Sequence, residues 1–83
     1  MKVACTSHGW EDYCSWNADR KTLQKINRMI EEAWRDAGQG IGKPERLSGD
    51  LAGLLSRRIT DEHRLVYEVV DGAVVVHQAR CYY

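Results

Sequence analysis

Phenylalanine is missing from this 83-residue chain, and proline occurs once. The aromatic bulk rests on three Trp and four Tyr, rings that each carry a polar tip. No apolar run approaches the ~18 residues that a membrane-crossing helix needs, so a span of that kind is excluded. The opening stretch MKVACTSHGW lacks the apolar core of a secretory signal. An excess of one charge is missing as well: 12 basic residues face 12 acidic ones, and residues 1–37 hold six of each. Bulk electrostatics thus give no evidence of a nucleic-acid partner, and weak affinity for free RNA is expected. Any RNA contact has to come from a local patch. Cys5, Cys14 and Cys81 are odd in number and lack a Cys-x-x-Cys spacing. That argues against a disulfide framework or a zinc site and for buried or half-buried thiols in a reducing cytosol.

The length suits one domain over 1–83, burying about 60–65% of its surface. Lys2 to Cys5 has the character of a short first strand. Thr6 or Ser7 can cap a helix that starts near His8 and aligns Trp10, Tyr13 and Cys14. Asp19 is the next N-cap. Behind it Leu23, Ile26, Ile30, Ala33, Trp34 and Ala37 recur at helical spacing, with Lys21, Lys25, Arg28, Glu31, Glu32 and Arg35 mainly opposite. Gly38 ends this helix. Residues 38–53 hold five of the seven glycines and the proline. So long an irregular segment is either functional or a plain connector with a short strand near Arg46 and Leu47. Strands are expected over Leu54 to Ile59, Arg64 to Val70 and Ala73 to about Tyr82, the last two joined at Asp71-Gly72. The class is α+β in two layers: strand, helix, helix, then an antiparallel meander, with the helices on one face.

Alternation predicts which face is open. A three-residue loop, Val70-Asp71-Gly72 with Gly72 in a bulge, pairs odd with odd positions. It gathers Leu65, Tyr67, Val69, Ala73, Val75, His77, Ala79 and Cys81 on the buried side. That register puts Arg64, Arg80 and Tyr82 on the face away from the helices. Such a face suits an RNA backbone and bases, or is simply solvated. His77 then reads as a core histidine, His8 as a surface or cap residue, and His63 as equally structural or functional.

No metal or phosphate-loop motif is present, and no cofactor is implied. What remains is Lys43, Arg46, Arg57, Arg58, Arg64 and Arg80 near a lone carboxylate, Glu45. Successive strand residues point to opposite faces, so only one of Arg57 and Arg58 joins Arg64. Such a set fits metal-free phosphodiester cleavage: a base takes the 2′-hydroxyl proton, arginines neutralise the phosphate and an acid protonates the leaving oxygen. Glu45, in the Lys43-Pro44-Glu45 turn, is the candidate base.

Several blocks in order carry a resemblance: Trp10-Glu11-Asp12-Tyr13, Trp16, Lys25-Ile26-Asn27, Gly42-Lys43-Pro44-Glu45, Leu51-Ala52-Gly53, Ser56-Arg57-Arg58-Ile59 and His63-Arg64-Leu65-Val66-Tyr67. Through nearly its whole length the chain resembles the YoeB/Txe branch of the RelE toxin superfamily. The resemblance implies a RelE-like fold and a cytoplasmic type II toxin. It implies an endoribonuclease that cuts messenger RNA in the decoding site of the small ribosomal subunit, without metal, by the 2′-hydroxyl route. Implied partners are a YefM-type antitoxin, the ribosome with its mRNA, operator DNA only through the antitoxin, and a second copy of the chain as a homodimer. Position by position, Glu45 matches the general base and Arg64 the arginine that stabilises the phosphate. Arg58 matches a second basic residue, and Lys43 falls in the same substrate-binding block. The family ends in His-Tyr, the His as acid and the Tyr positioning RNA. Here Tyr83 matches the Tyr, but Tyr82 stands in the His position. A phenol titrates near 10 and an imidazole near 6.5, so Tyr82 is the weaker proton donor to the leaving group at neutral pH. The reading carried forward is retained cleavage with Tyr82 as acid. The alternative is a toxin homologue that blocks translation by binding alone.

Overall fold

In the computed structural model, which describes residues 1–81, both expected capping residues start helices. β1 (Lys2–Cys5) leads into α1 (Ser7–Cys14), where the Thr6 hydroxyl accepts the Gly9 amide hydrogen at 3.0 Å. Gly9 lets α1 lie directly on the sheet, because a Cβ there would collide with the Val76 carbonyl. The Asp19 carboxylate opens α2 (Arg20–Arg35), accepting from the Thr22 amide at 3.1 Å and the Thr22 hydroxyl at 2.8 Å. These bonds, the backbone one foremost, hold the Asp19 carboxyl below its ordinary range. A carboxyl so depressed stabilises the fold above its unfolded pKa, and the contribution is lost as pH falls through the folded value. Asp19→Ala is therefore expected to lower the melting temperature at neutral pH. The gap from the parent protein should close below about pH 4, followed by thermal denaturation across pH. A gap unchanged from neutral to strongly acid pH would rule out a charged cap.

β2 (Glu45–Arg46), β3 (Leu55–Arg58), β4 (Arg64–Val70) and β5 (Ala73–Gln78) complete a five-stranded sheet of order β1-β5-β4-β3-β2. β1 runs parallel to β5, and every other pairing is antiparallel. Both helices cover one face, which gives the expected α+β two-layer architecture. Ile26, Met29, Ile30 and Ala33 of α2 meet Leu55, Leu65, Tyr67, Val74 and Val76 in one core. Trp34, expected in the apolar stripe, is 43% exposed and donates its indole N–H to the Gly72 carbonyl at 3.1 Å.

The β4–β5 register differs from the expected one. Val70 pairs with Ala73, Val69 with Val74 and Tyr67 with Val76, so the turn is the two residues Asp71 and Gly72. Both have positive φ, 51° and 76°, the mirror-image turn whose twist matches the flanking strands. Odd positions of β4 therefore share the core face with even positions of β5. The extra residue that alternation requires is present, but it lies within β5: Val66 pairs with Gln78, leaving His77 as a bulge. Past the bulge the parity reverses, and Ala79 returns to the core. His77 is accordingly no core residue. It is half-buried, with Nε2 3.1 Å from Glu68 Oε1. Arg80 also leaves the predicted face: its guanidinium lies 3.9 Å from the Trp16 ring centroid, and Nε donates to Ser15 Oγ at 2.8 Å. The fifth strand ends at Gln78, short of the expected reach toward Tyr82, and Cys81 is exposed where a buried or half-buried thiol was expected.

Candidate functional site

The bulge at His77 aligns one row of side chains across four strands. Glu45 pairs with Ser56, Ser56 with Val66, and Val66 with Gln78. These four share the sheet face away from the helices, by strand alternation. Two residues along, Arg58 of β3 and Arg64 of β4 pair directly on that face. Arg64 reaches back over the first row. Its Nη1 donates to Glu45 Oε1 at 3.1 Å and to Ser56 Oγ at 3.2 Å. The Arg64 side chain is 15% exposed and that of Glu45 52%, so the guanidinium is the more deeply embedded of the two. Ser56 is fully buried beneath them.

Arg57 takes the opposite side. Its side chain is fully buried, and Nε donates to Tyr67 Oη at 2.8 Å. Nη2 donates to the carbonyls of Gln39 (2.6 Å), Asp36 (3.1 Å) and Ala37 (3.4 Å), and Nη1 to that of Ile41 (3.2 Å). One guanidinium thus gathers the carbonyls that follow α2, where the helix dipole is negative. Burial pushes the Tyr67 phenol up, so it stays protonated and donates to Ala37 O at 2.7 Å. The segment pinned in this way runs straight into Lys43-Pro44-Glu45. The Arg58 amide then donates to Gly42 O at 2.7 Å and fixes the loop against β3. Gly42 has φ 86°, and a Cβ there would press on Arg57 Cβ and Met29 Cε. Lys43 follows it, exposed, with φ 50°.

Of the residues singled out from sequence, the structure brings Glu45, Arg58 and Arg64 onto one face and sets Lys43 two residues before Glu45 on the bounding loop. Arg57 and Arg80 point elsewhere. Tyr82 and Tyr83 lie outside the described residues. Cys81, just before them, is anchored at this site: its carbonyl accepts from the Arg64 amide at 3.1 Å and from Gln78 Nε2 at 2.9 Å. Ser56 joins the site without any sequence signal beyond sharing parity with Arg58. Among the described residues, no group of three or more His, Cys, Asp or Glu is placed to hold a metal, and no helix is long and apolar enough to cross a membrane. A groove of about 610 Å³ lies elsewhere, lined by Met1, Val3, Cys5, Trp10, Tyr13 and Ile30 among others. A carboxylate beside an embedded guanidinium on an open, basic sheet face can accept a proton while stabilising negative charge on a neighbouring oxyanion.

The fold and its basic face define a toxin of the RelE/YoeB fold. The chain superposes on a YoeB/ParE toxin from Agrobacterium tumefaciens with a TM-score of 0.93 at 46% identity, covering 100% of both chains. It superposes on the toxin of a heterotetrameric YoeB-YefM complex from Staphylococcus aureus with a TM-score of 0.92 at 38% identity, covering 100% of this chain and 98% of that one. A YoeB dimer from the same organism gives 0.90 at 36%, with the same coverage. In sequence it is 54% identical to Toxin YoeB of Streptomyces coelicolor over 84 aligned positions, covering 100% of both. Residues 5–83 match the family described as "YoeB-like toxin of bacterial type II toxin-antitoxin system", and this chain belongs to that YoeB toxin family.

Proposed function

We propose that this type II toxin inhibits translation as a ribosome-dependent, metal-independent endoribonuclease that cuts mRNA in the decoding site. The observation that carries the reading is the Glu45–Arg64 pair, 3.1 Å apart on the open face of the sheet. Glu45 takes the proton from a ribose 2′-hydroxyl, and the freed oxygen attacks the adjacent phosphorus. Arg64 offsets the charge that builds on the phosphate oxygens, while Arg58 and Lys43 hold the flanking backbone. The bond from phosphorus to the 5′ oxygen breaks. The products are a 2′,3′-cyclic phosphate and, once Tyr82 has given up its phenolic proton, a 5′-hydroxyl. Tyr83 positions the RNA. A flat face of this kind suits a substrate presented by a large partner, and the balanced net charge favours message already held on the ribosome over free RNA. A YefM-type antitoxin is the cognate inhibitor, by analogy with the Staphylococcus aureus complex, and operator DNA is reached only through it. The Staphylococcus aureus dimer supports a homodimer of this chain, and the cytoplasm is its compartment.

Programmed ribosomes, purified toxin and primer extension across the message test the reading. A toxin-dependent stop at the decoding site is expected. Arrested translation with intact message would instead establish a toxin that acts by binding. The same assay addresses the chain end. A well-matched general acid contributes about 10²–10⁴-fold, so Tyr82→His is expected to raise the cleavage rate by roughly tenfold or more at neutral pH. Tyr82→Phe, which has no proton to give, is expected to lower it. A rate indifferent to both changes would remove Tyr82 from the chemistry.

A further inference from the structure

His63 sits between β3 and β4, one residue before Arg64, and its ring is built into the end of the chain. Its Nδ1 lies 2.7 Å from the Cys81 amide nitrogen. A backbone N–H can only donate, so Nδ1 is the acceptor and the ring proton resides on Nε2. The imidazole also meets Trp16 edge to face, with centroids 5.0 Å apart and planes at 87°. Trp16 is held in turn: its Nε1 donates to Ala79 O at 2.7 Å, and Arg80 lies over its ring. The Ala79 amide donates to Asp12 Oδ2 at 3.1 Å. Each of residues 79–81 is thus tied to the body of the protein.

Cys81 has φ 64°, a left-handed conformation that disfavours a residue with a Cβ. It persists because both of its polar backbone groups are held. The amide is held by His63. The carbonyl is held by the Arg64 amide and the Gln78 side chain. That carbonyl belongs to the peptide bond leading to Tyr82, and its bond to the Arg64 amide ties the Cys81 turn to the strand that carries Arg64.

We infer that His63 is a positioning residue: by accepting the Cys81 amide hydrogen it holds the left-handed turn that is tied to the Arg64 amide and precedes Tyr82, the proposed acid, in the chain. This rests on the nuclease reading above. Two variants separate the acceptor from the ring. His63→Phe keeps a ring against Trp16 and removes the acceptor. His63→Asn keeps an acceptor where Nδ1 lies and removes the ring. On toxin-saturated programmed ribosomes, His63→Phe is expected to lose on the order of 10–100-fold in single-turnover cleavage rate with ribosome affinity unchanged, and His63→Asn to recover most of that loss. His63→Gln, whose acceptor sits one methylene too far, is expected to be as slow as His63→Phe and replaces it if the phenylalanine variant does not fold. Hydrogen exchange of the Cys81 amide gives a readout independent of cleavage: faster in His63→Phe, at the parent rate in His63→Asn. Parent-like cleavage by His63→Phe, or equal slowness of His63→Phe and His63→Asn, overturns the inference while leaving the nuclease intact. A parent toxin that leaves the message uncut overturns the nuclease reading, and with it any role for His63 in cleavage, even with the Cys81 amide protected.

Discussion

Glu45→Gln is expected to abolish message cleavage, by at least 10²–10⁴-fold, while leaving ribosome binding and the fold intact. The amide has the size of the carboxylate and can still accept the Arg64 hydrogen bond at the 3.1 Å site, but it cannot take a proton from a 2′-hydroxyl. Stability is expected to change little, because an ion pair whose carboxylate side chain is 52% exposed is worth about 0–1 kcal/mol. Single-turnover primer extension reads the loss of cleavage, co-sedimentation with ribosomes reads binding, and thermal denaturation reads the fold. Cleavage by the variant at the parent rate would remove Glu45 as the base. Loss of binding together with cleavage would turn Glu45 into an anchoring residue.

The parts of this site that were legible in sequence are those that depend on local parity. Arg58 and Arg64 stand at even positions of strands with clear bounds, and two strands paired in register place them opposite each other. The caps at Thr6 and Asp19 were legible for the same reason: each side chain bonds an amide three residues on. The hairpin was harder. Alternation shows that β5 needs one extra residue to keep an apolar face, but an insertion at the turn and an insertion at His77 satisfy that need equally. Only the positive φ of both Asp71 and Gly72 decides between them. That choice swings His77 out of the core, whereas Arg80, beyond the end of β5, leaves the open face through its contacts with Trp16 and Ser15. Nothing in Lys2–Cys5 names β5 as its parallel partner, since β1 carries no distinctive pattern. Nor does sequence signal the work of Arg57 and His63, because their partners are mostly backbone groups supplied by distant segments.

That dependence on backbone makes Arg57 the residue whose loss is expected to damage the fold most. A buried ion pair can often be exchanged for apolar side chains at little cost, provided both partners are replaced together. Here the partners are chiefly the carbonyls of Asp36, Ala37, Gln39 and Ile41, which no substitution removes. Arg57→Met would fill much of the volume but leave the carbonyls of Asp36, Gln39 and Ile41 without their guanidinium donor and the Tyr67 hydroxyl without the bond from Arg57 Nε. The expected cost is about 3–5 kcal/mol, the range for breaking a buried charged network from one side. A domain of this length has on the order of 4–12 kcal/mol in all. A fall in melting temperature of roughly 15–30 °C follows, read by circular dichroism. Arg57→Lys is expected to fall between, because a single ammonium with three donors cannot span so many acceptors. Cleavage by Arg57→Met should decline even below its melting point, because the loop that carries Lys43 and Glu45 loses its anchor. A melting temperature within a few degrees of the parent would mean that water or a rearranged loop satisfies those carbonyls, and that Glu45 is held in place without the Arg57 anchor.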